Sequence, residues 1–363
     1  MTNKKKKKKP ILFVSVLILA TAFISFGATY IYYSTGNNVN DPDGYHSIRG
    51  LNNAEDMVQI TETRWILTGN LGDKSWKKGG LYLIDSDSME WREINIDFSG
   101  SPAEGYEKIS DPELFSSHGI ALKTIDDEEY EIYAVNHGGR ESVEVFRLTL
   151  INNNPVIIWK GSVPTPNGMT ANSVAPLSDG FLVTIPLLKN DAGTFLDFLA
   201  GKPTGAVYKW TSKDGFSEIP GSKLSGNNGI VVSPDEKWAY INGYSSRSVT
   251  RISLVDDQIE PVTTQLSFLP DNIRYSADGS LLVTGQDTNI LTVVLLTNGT
   301  GILVSPSDTS VAELDPETMK VSEVLNLPKF RAFGGGTTAL YVGNALWVSS
   351  FRAQRIMVLP DVK

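Results

Sequence analysis

Six times along this chain a short apolar run follows a polar side chain by roughly nine or ten residues, and no other feature constrains the fold as much. The runs are Arg64–Asn70, Glu131–His137, Gly180–Pro186, Lys237–Gly243, Ser280–Gln286 and Ala345–Phe351. Each is rich in β-branched and aromatic residues and bounded by Gly, Asn or Asp, as a strand between turns should be. A second strand-like segment follows each run across a turn, and a shorter one with its own apolar tail precedes it. Three or four strands per unit, a period of very roughly fifty residues and no helical periodicity predict an all-β fold, a six-bladed β-propeller.

In such a fold the inner strand of every blade begins or ends at the central channel, so polar residues at equivalent offsets converge. Those positions hold Glu55 and Asp56, His118, Asn172, Asn228, and Asp271 with Asn272, while the sixth unit offers Gly336 and Thr337. Glu55 and Asp271 are anionic oxygen ligands, and Asn172, Asn228 and Asn272 are neutral carbonyl ligands. Two carboxylates balance one divalent cation and the amides add coordination without repulsion. Calcium, which takes roughly six to eight oxygens in a flexible geometry, suits the set better than magnesium. The competing explanation is that Asn and Asp sit at strand ends because they favour turns.

Of three histidines, two fall in the second unit, His118 at the start of its inner segment and His137 at the end of the next strand. Antiparallel pairing of those strands brings the two imidazoles together at the channel mouth. Imidazole is a poor calcium ligand but titrates near neutrality, which suits a general base with a proton-relay partner. Two histidines satisfied by local hydrogen bonds are the bland alternative. His46 has no part in this pattern.

With 363 residues and one repeating pattern, a single large domain is expected. The formal charge of −9, with no basic patch beyond the first residues, argues against nucleic acid as a partner. The absence of cysteine excludes disulfides, thiolate chemistry and zinc–thiolate sites. Lys4–Lys9 is an unbroken basic run, and Ile11–Tyr33 carries no charge. That segment predicts an uncleaved transmembrane signal-anchor, residues 11–33, with the basic tail 1–10 in the cytoplasm and the propeller, 45–363, on the extracytoplasmic side. A cleaved signal peptide, with Ser25 and Gly27 as the small-residue pair, is the alternative. Residues 34–44 read as a polar tether. The last strand ends near Pro360, so Tyr45–Arg49 is expected to complete the sixth blade and remove its exposed edge.

The runs SSHGIALKTIDDEEYEIYAVNHGGRESVEVFRL, TANSVAP, GNNGIVVSPDEKWAYI and LPDNIRYSADGSLLV, in this order, resemble the paraoxonase (arylesterase/lactonase) family. More broadly they resemble the gluconolactonase-like and strictosidine-synthase-like six-bladed propellers, from about Leu51 onward. The resemblance implies a catalytic calcium held by Glu55, Asn172, Asn228, Asp271 and Asn272, and a histidine dyad of His118 and His137. It also implies a second, structural calcium on Asp56, a carbonyl near Ile120, and a third position where Ser173 stands in place of the family's Asp. That replacement removes a negative charge and leaves the second ion open. The family's end-to-end disulfide has no counterpart here.

Residues and resemblance together point to hydrolysis of a lactone or activated ester. The third unit carries an insertion, Leu187–Thr204, in which Phe195, Leu196, Phe198 and Leu199 have helical spacing. It reads either as an apolar substrate lid or membrane contact, or as a helix packed on the propeller. A sugar lactonase would use the same metal set without the histidines. A strictosidine-synthase-like enzyme would not need the metal set, and a non-catalytic ligand-binding propeller would need neither.

Overall fold

The structure, a computed structural model, describes residues 39–72, 79–296 and 307–362. The expected membrane span at residues 11–33, the basic tail and the first part of the tether lie outside these residues. Among the described residues no helix is long and apolar enough to cross a membrane.

Each of the six apolar runs is the second strand of a four-stranded antiparallel sheet, and the six sheets are the blades. Their inner strands are Ala54–Gln59, Ser117–Thr124, Val174–Leu177, Asn227–Val232, Leu269–Tyr275 and Gly336–Val342. The outermost strands, such as Trp91–Glu93 and Val262–Gln265, are short or polar, which suits an edge facing water.

The core is divided into wedges rather than gathered at a centre. Leu67, Leu81, Ile132 and Phe146 pack between the first two blades, and Tyr133, Val143, Phe181 and Trp210 between the second and third. Equivalent clusters fill each remaining interface, ending with Met57, Ile66 and Tyr82 of the first blade against Trp347 and Ile356 of the sixth. Alternate strand residues feed opposite wedges, the period-two arrangement of side chains buried on both faces.

The ring closes as expected. His46–Arg49 pairs antiparallel with Arg355–Leu359, setting His46 opposite Val358 and Arg49 opposite Arg355, and becomes the fourth strand of the sixth blade. An ion pair adds to the closure: the buried Arg355 donates to Asp41 Oδ1 at 2.8 Å and to the Val39 carbonyl at 3.2 Å. The segment read as a tether up to residue 44 is therefore fixed to the propeller from about Asp41, because a buried guanidinium needs a counter-charge.

Two helices interrupt the repeat. α1 (Ala192–Leu199) lies within the predicted insertion and is capped by Asp191, which accepts from the Thr194 amide at 2.7 Å. α2 (Ile290–Leu296) follows the second strand of the fifth blade. It was not expected, since ILTVVLL is rich in β-branched residues and reads as a strand in isolation.

Candidate metal and histidine site

One backbone irregularity recurs at the head of the inner strands. In the first blade Ala54 pairs with Asn70 and Met57 with Thr68, three steps on one strand against two on its neighbour. The same one-residue bulge falls between Ser117 and Ile120, Asn227 and Ile230, Pro270 and Ile273, and Gly336 and Ala339. A bulge re-aims side chains that regular alternation would send into the wedges. The bulged residues are Glu55 with Asp56, His118, Asn228, Asp271 with Asn272, and Thr337 with Thr338. In the third blade Asn172 and Ser173 precede the regular strand and are held by exchange of hydrogen bonds with Thr184.

The bulges press neighbouring inner strands together. A Cβ on Gly119 would lie 2.5 Å from the Asn172 carbonyl oxygen, and one on Gly229 would lie 2.6 Å from that of Asp271. Only glycine admits this approach.

Four acceptor atoms in this cluster are buried without a hydrogen-bond donor among the described residues: Glu55 Oε2 and the Oδ1 atoms of Asn172, Asn228 and Asn272. The orientation of Asn272 is set by its own donors, since its amide nitrogen reaches Glu55 Oε1 at 2.8 Å and Thr338 Oγ1 at 3.0 Å. Asp271 accepts from Gln286 Nε2 at 2.8 Å. Orphaned acceptors are costly in a buried site. Burial, with the charges of Asp56 and Asp271, raises the Glu55 carboxyl well above its ordinary value, and burial pushes Asp271 up to about 7. Two carboxylates held where neither ionises easily, beside three amide oxygens without donors, fit one hard, oxygen-seeking divalent cation. No three acidic or histidine side chains form such a group among the described residues. The set depends on its amides.

The histidines meet as antiparallel pairing required. His118 Nδ1 is 2.7 Å from His137 Nε2, and His118 Nε2 is 3.7 Å from Glu55 Oε1. A third member was missed from the sequence: Glu141 reaches His137 Nδ1 at 2.9 Å. An ionised carboxylate only accepts, so His137 donates from Nδ1 to Glu141 and accepts at Nε2 from His118 Nδ1–H. The lone pair of His118 is thereby left on Nε2, facing Glu55. Burial, then the neighbouring His137, holds the His118 pKa well below its ordinary value.

Thr337, the position the sequence offered in the sixth unit, donates to the Glu55 backbone carbonyl at 2.5 Å. Other supporting residues escaped sequence reading: Thr338 Oγ1 donates to Asp56 Oδ1 at 2.9 Å and lies 3.2 Å from the Glu55 carbonyl. Gln286 joins Asp271 to the Gly336 carbonyl and accepts from Tyr244 at 2.5 Å. Phe198 of α1 lies parallel to the Tyr244 ring, with centroids 6.5 Å apart. Of the four residues expected to form a lid, Phe198 is therefore the one packed on the propeller. Leu199 is half-buried, and Phe195 and Leu196 face outward, 39% and 64% exposed.

The residues expected to hold a second ion present a different picture. The Ile120 amide donates to Asp56 Oδ2 at 2.9 Å, and the Arg274 guanidinium bridges the same two residues, donating to Asp56 Oδ2 and, at 2.8 Å, to the Ile120 carbonyl. Ser173 Oγ is buried without a partner among the described residues. Further along the same strands a cavity of about 710 Å³ opens, lined by residues such as Val58, Leu122, Ile230 and Leu340 and reaching Arg274. It contains none of the residues expected to carry the chemistry.

This propeller, with acidic and amide oxygens and paired imidazoles at one end of its channel, defines a class, and comparison places it. The arylesterase family profile matches residues 67–324, and the chain belongs to that family. It is similar to serum paraoxonase/lactonase 3 of Mus musculus, 25% identical over 67% of this chain and 69% of that protein. It is likewise similar to the Homo sapiens form, 23% identical over 56% of each. A strictosidine synthase-like 7 protein of Arabidopsis thaliana is 30% identical over 23% of each chain. The chain thus spans about a quarter to about two-thirds of the length of these relatives. Among solved structures, a luciferin-regenerating enzyme matches with a TM-score of 0.52 at 11% identity, over 88% of this chain and 95% of that one. A putative gluconolactonase matches with a TM-score of 0.51 at 12% identity, over 88% and 93%. These two share the fold.

Proposed function

We propose that this chain is a calcium-dependent hydrolase of lactones or activated aryl esters. The observation that carries the proposal is a set of four donor-less buried oxygens at the heads of the inner strands, on Glu55, Asn172, Asn228 and Asn272, beside a relay of His118, His137 and Glu141. Membership of the arylesterase family and the lactonase names of the mouse and human relatives support the same reading.

Glu55, Asn172, Asn228, Asp271 and Asn272 would hold the ion. The chemistry a bound calcium supplies is Lewis-acid polarisation of the substrate carbonyl and stabilisation of the developing oxyanion. His118 Nε2 takes a proton from the attacking water, and the Nδ1 proton passes to His137 Nε2. Glu141 fixes the His137 tautomer that makes this transfer possible and stabilises the positive charge that follows. Gln286 and Thr338 keep the Asp271 and Asn272 side chains aimed at one volume. Phe198 sets the position of α1 near this end of the channel, and the outward Phe195 and Leu196 favour a lipophilic substrate. The N-terminal segment 11–33 would anchor the propeller to the extracytoplasmic face of a membrane.

The test is hydrolysis of a long-chain acyl lactone, gluconolactone and phenyl acetate by the full chain in detergent, with calcium and with chelator. Calcium-dependent turnover of the lipophilic lactone or aryl ester, lost in His118→Gln, is expected. Turnover of gluconolactone alone, unaffected by that substitution, would favour a sugar lactonase, and no turnover would leave a ligand-binding propeller.

A further inference from the structure

We propose that Arg274 is a built-in cation standing where the family pattern implies a second, structural ion, so that this chain ties its channel together without that ion. The guanidinium is buried and surrounded by oxygen from three blades. It donates to the Asp56 carboxylate and the Met57 carbonyl of the first blade, to the Ile120 carbonyl of the second, and to its own neighbour Ile273 in the fifth. One carboxylate and three carbonyls are a donor set for a hard cation, and the guanidinium has taken it.

The remaining acceptors of Asp56 are also in use. Oδ1 accepts from the Met57 amide at 2.9 Å and from Thr338 at 2.9 Å, and Oδ2 accepts from the Ile120 amide at 2.9 Å as well as from Arg274. This contrasts with the neighbouring cluster, where four acceptors lack donors. A divalent ion placed here would compete with a fixed positive charge for oxygens already engaged.

Charge balance points the same way. In the implied pattern two aspartates would face an ion of charge +2. Here Ser173 replaces one aspartate, and the remaining Asp56 faces a guanidinium of charge +1. Both arrangements are neutral, so the charge missing at Ser173 is matched by the single charge of Arg274. The guanidinium is also attached to the strand that supplies Asn272, two residues away on the same face, whereas Asp56 adjoins Glu55. Arg274 is in this sense a positioning residue, bracing both strands behind the candidate ligands from the side where the apolar cavity opens.

The test compares wild type, Arg274→Gln, and Arg274→Gln combined with Ser173→Asp, each as the full chain in detergent. Bound calcium per chain is measured by elemental analysis after dialysis, and tertiary structure by near-UV circular dichroism during melting. Wild type should hold one tightly bound ion and keep its tertiary signal in chelator. Arg274→Gln should melt ~10 °C lower, because it strands a buried carboxylate. The double variant should bind one ion more than wild type and regain stability when calcium is added. If Arg274→Gln does not fold, Arg274→Lys, which keeps the charge but not the fork, should fold with a reduced Tm and no additional ion. Two tightly held ions in wild type, or an Arg274→Gln protein as stable as wild type, would overturn the proposal. No ion in wild type, with the Arg274 effects intact, would leave this proposal standing and remove the metal from the proposed hydrolase mechanism.

Discussion

Two clusters of oxygen lie against each other in the channel, built on the same strands, and they have opposite electrostatic states. Glu55, Asp271 and Asn272 belong to one, in which four acceptors lack donors and burial raises both carboxyls. Asp56 and Arg274 belong to the other, in which each carboxylate oxygen accepts two hydrogen bonds and the counter-charge is covalently attached. A one-residue bulge is what lets adjacent residues, Glu55 and Asp56, serve different clusters. The comparison teaches that a buried acidic site in a propeller is not by itself a metal site. On the proposed reading the unfilled acceptors are the place for an exchangeable ion, and the filled ones form a structural brace.

The largest effect should come from attacking the unfilled cluster. Asp271→Ala should remove calcium binding and lower kcat/KM by about 10³-fold or more, since the group that polarises the carbonyl is lost with its ligand. Calcium titration alongside turnover checks this. An Asp271→Ala enzyme with full activity would erase the distinction between the clusters.

Next in size, His118→Gln should lower kcat by roughly 10²- to 10⁴-fold while leaving calcium affinity unchanged. The wild-type acid limb should lie below pH 6.5, because burial lowers the pKa of His118 and the base stays neutral to lower pH. Glu141→Gln should reduce kcat less, by about 10-fold, since His137 loses the carboxylate that holds its proton on Nδ1. An unchanged kcat would show that Glu141 only packs.

A smaller effect concerns stability. The Asp271 carboxyl has an ordinary value of 3.8 and is raised to about 7 by burial. Between those values the folded, metal-free protein holds a proton that the unfolded chain has released, so its stability falls as pH rises across this window. Glu55 shifts in the same direction. The gap in Tm between calcium-loaded and chelated protein should therefore widen from about pH 4 to about pH 7, by several degrees. Melting curves across that range measure it, and a gap independent of pH would contradict the charge assignment.

Smallest of all, Tyr244→Phe should weaken calcium binding only a few-fold. It frees Gln286, which orients Asp271, without touching a ligand. An unchanged dissociation constant would show that the contact from α1 through Phe198 and Tyr244 does not extend to the metal cluster.

The propeller was legible because strand alternation and turn residues are local signals repeated six times, and the closing strand His46–Arg49 followed from counting edges. The approach of His118 to His137 was legible because register places Ser117 opposite Asn136. What escaped reading depends on side-chain direction rather than spacing. Bulges leave no reliable mark in sequence, so spacing alone did not separate Glu55 from Asp56, and only the family resemblance assigned them to different positions. Arg274 reads as an ordinary strand residue until its place two positions after Asn272 is seen to point it into the channel. Glu141 lies with His137 in the loop beyond Glu129–Asn136, and only the fold of that loop turns its carboxylate back to the ring.

The most direct measurement is lactone turnover by the full chain as a function of calcium occupancy, with bound ion and rate followed in the same titration. The account predicts one site per chain, with turnover rising in proportion to its occupancy and returning to baseline in chelator while the propeller stays folded. Turnover that persists undiminished in chelator, with no ion bound, would contradict it.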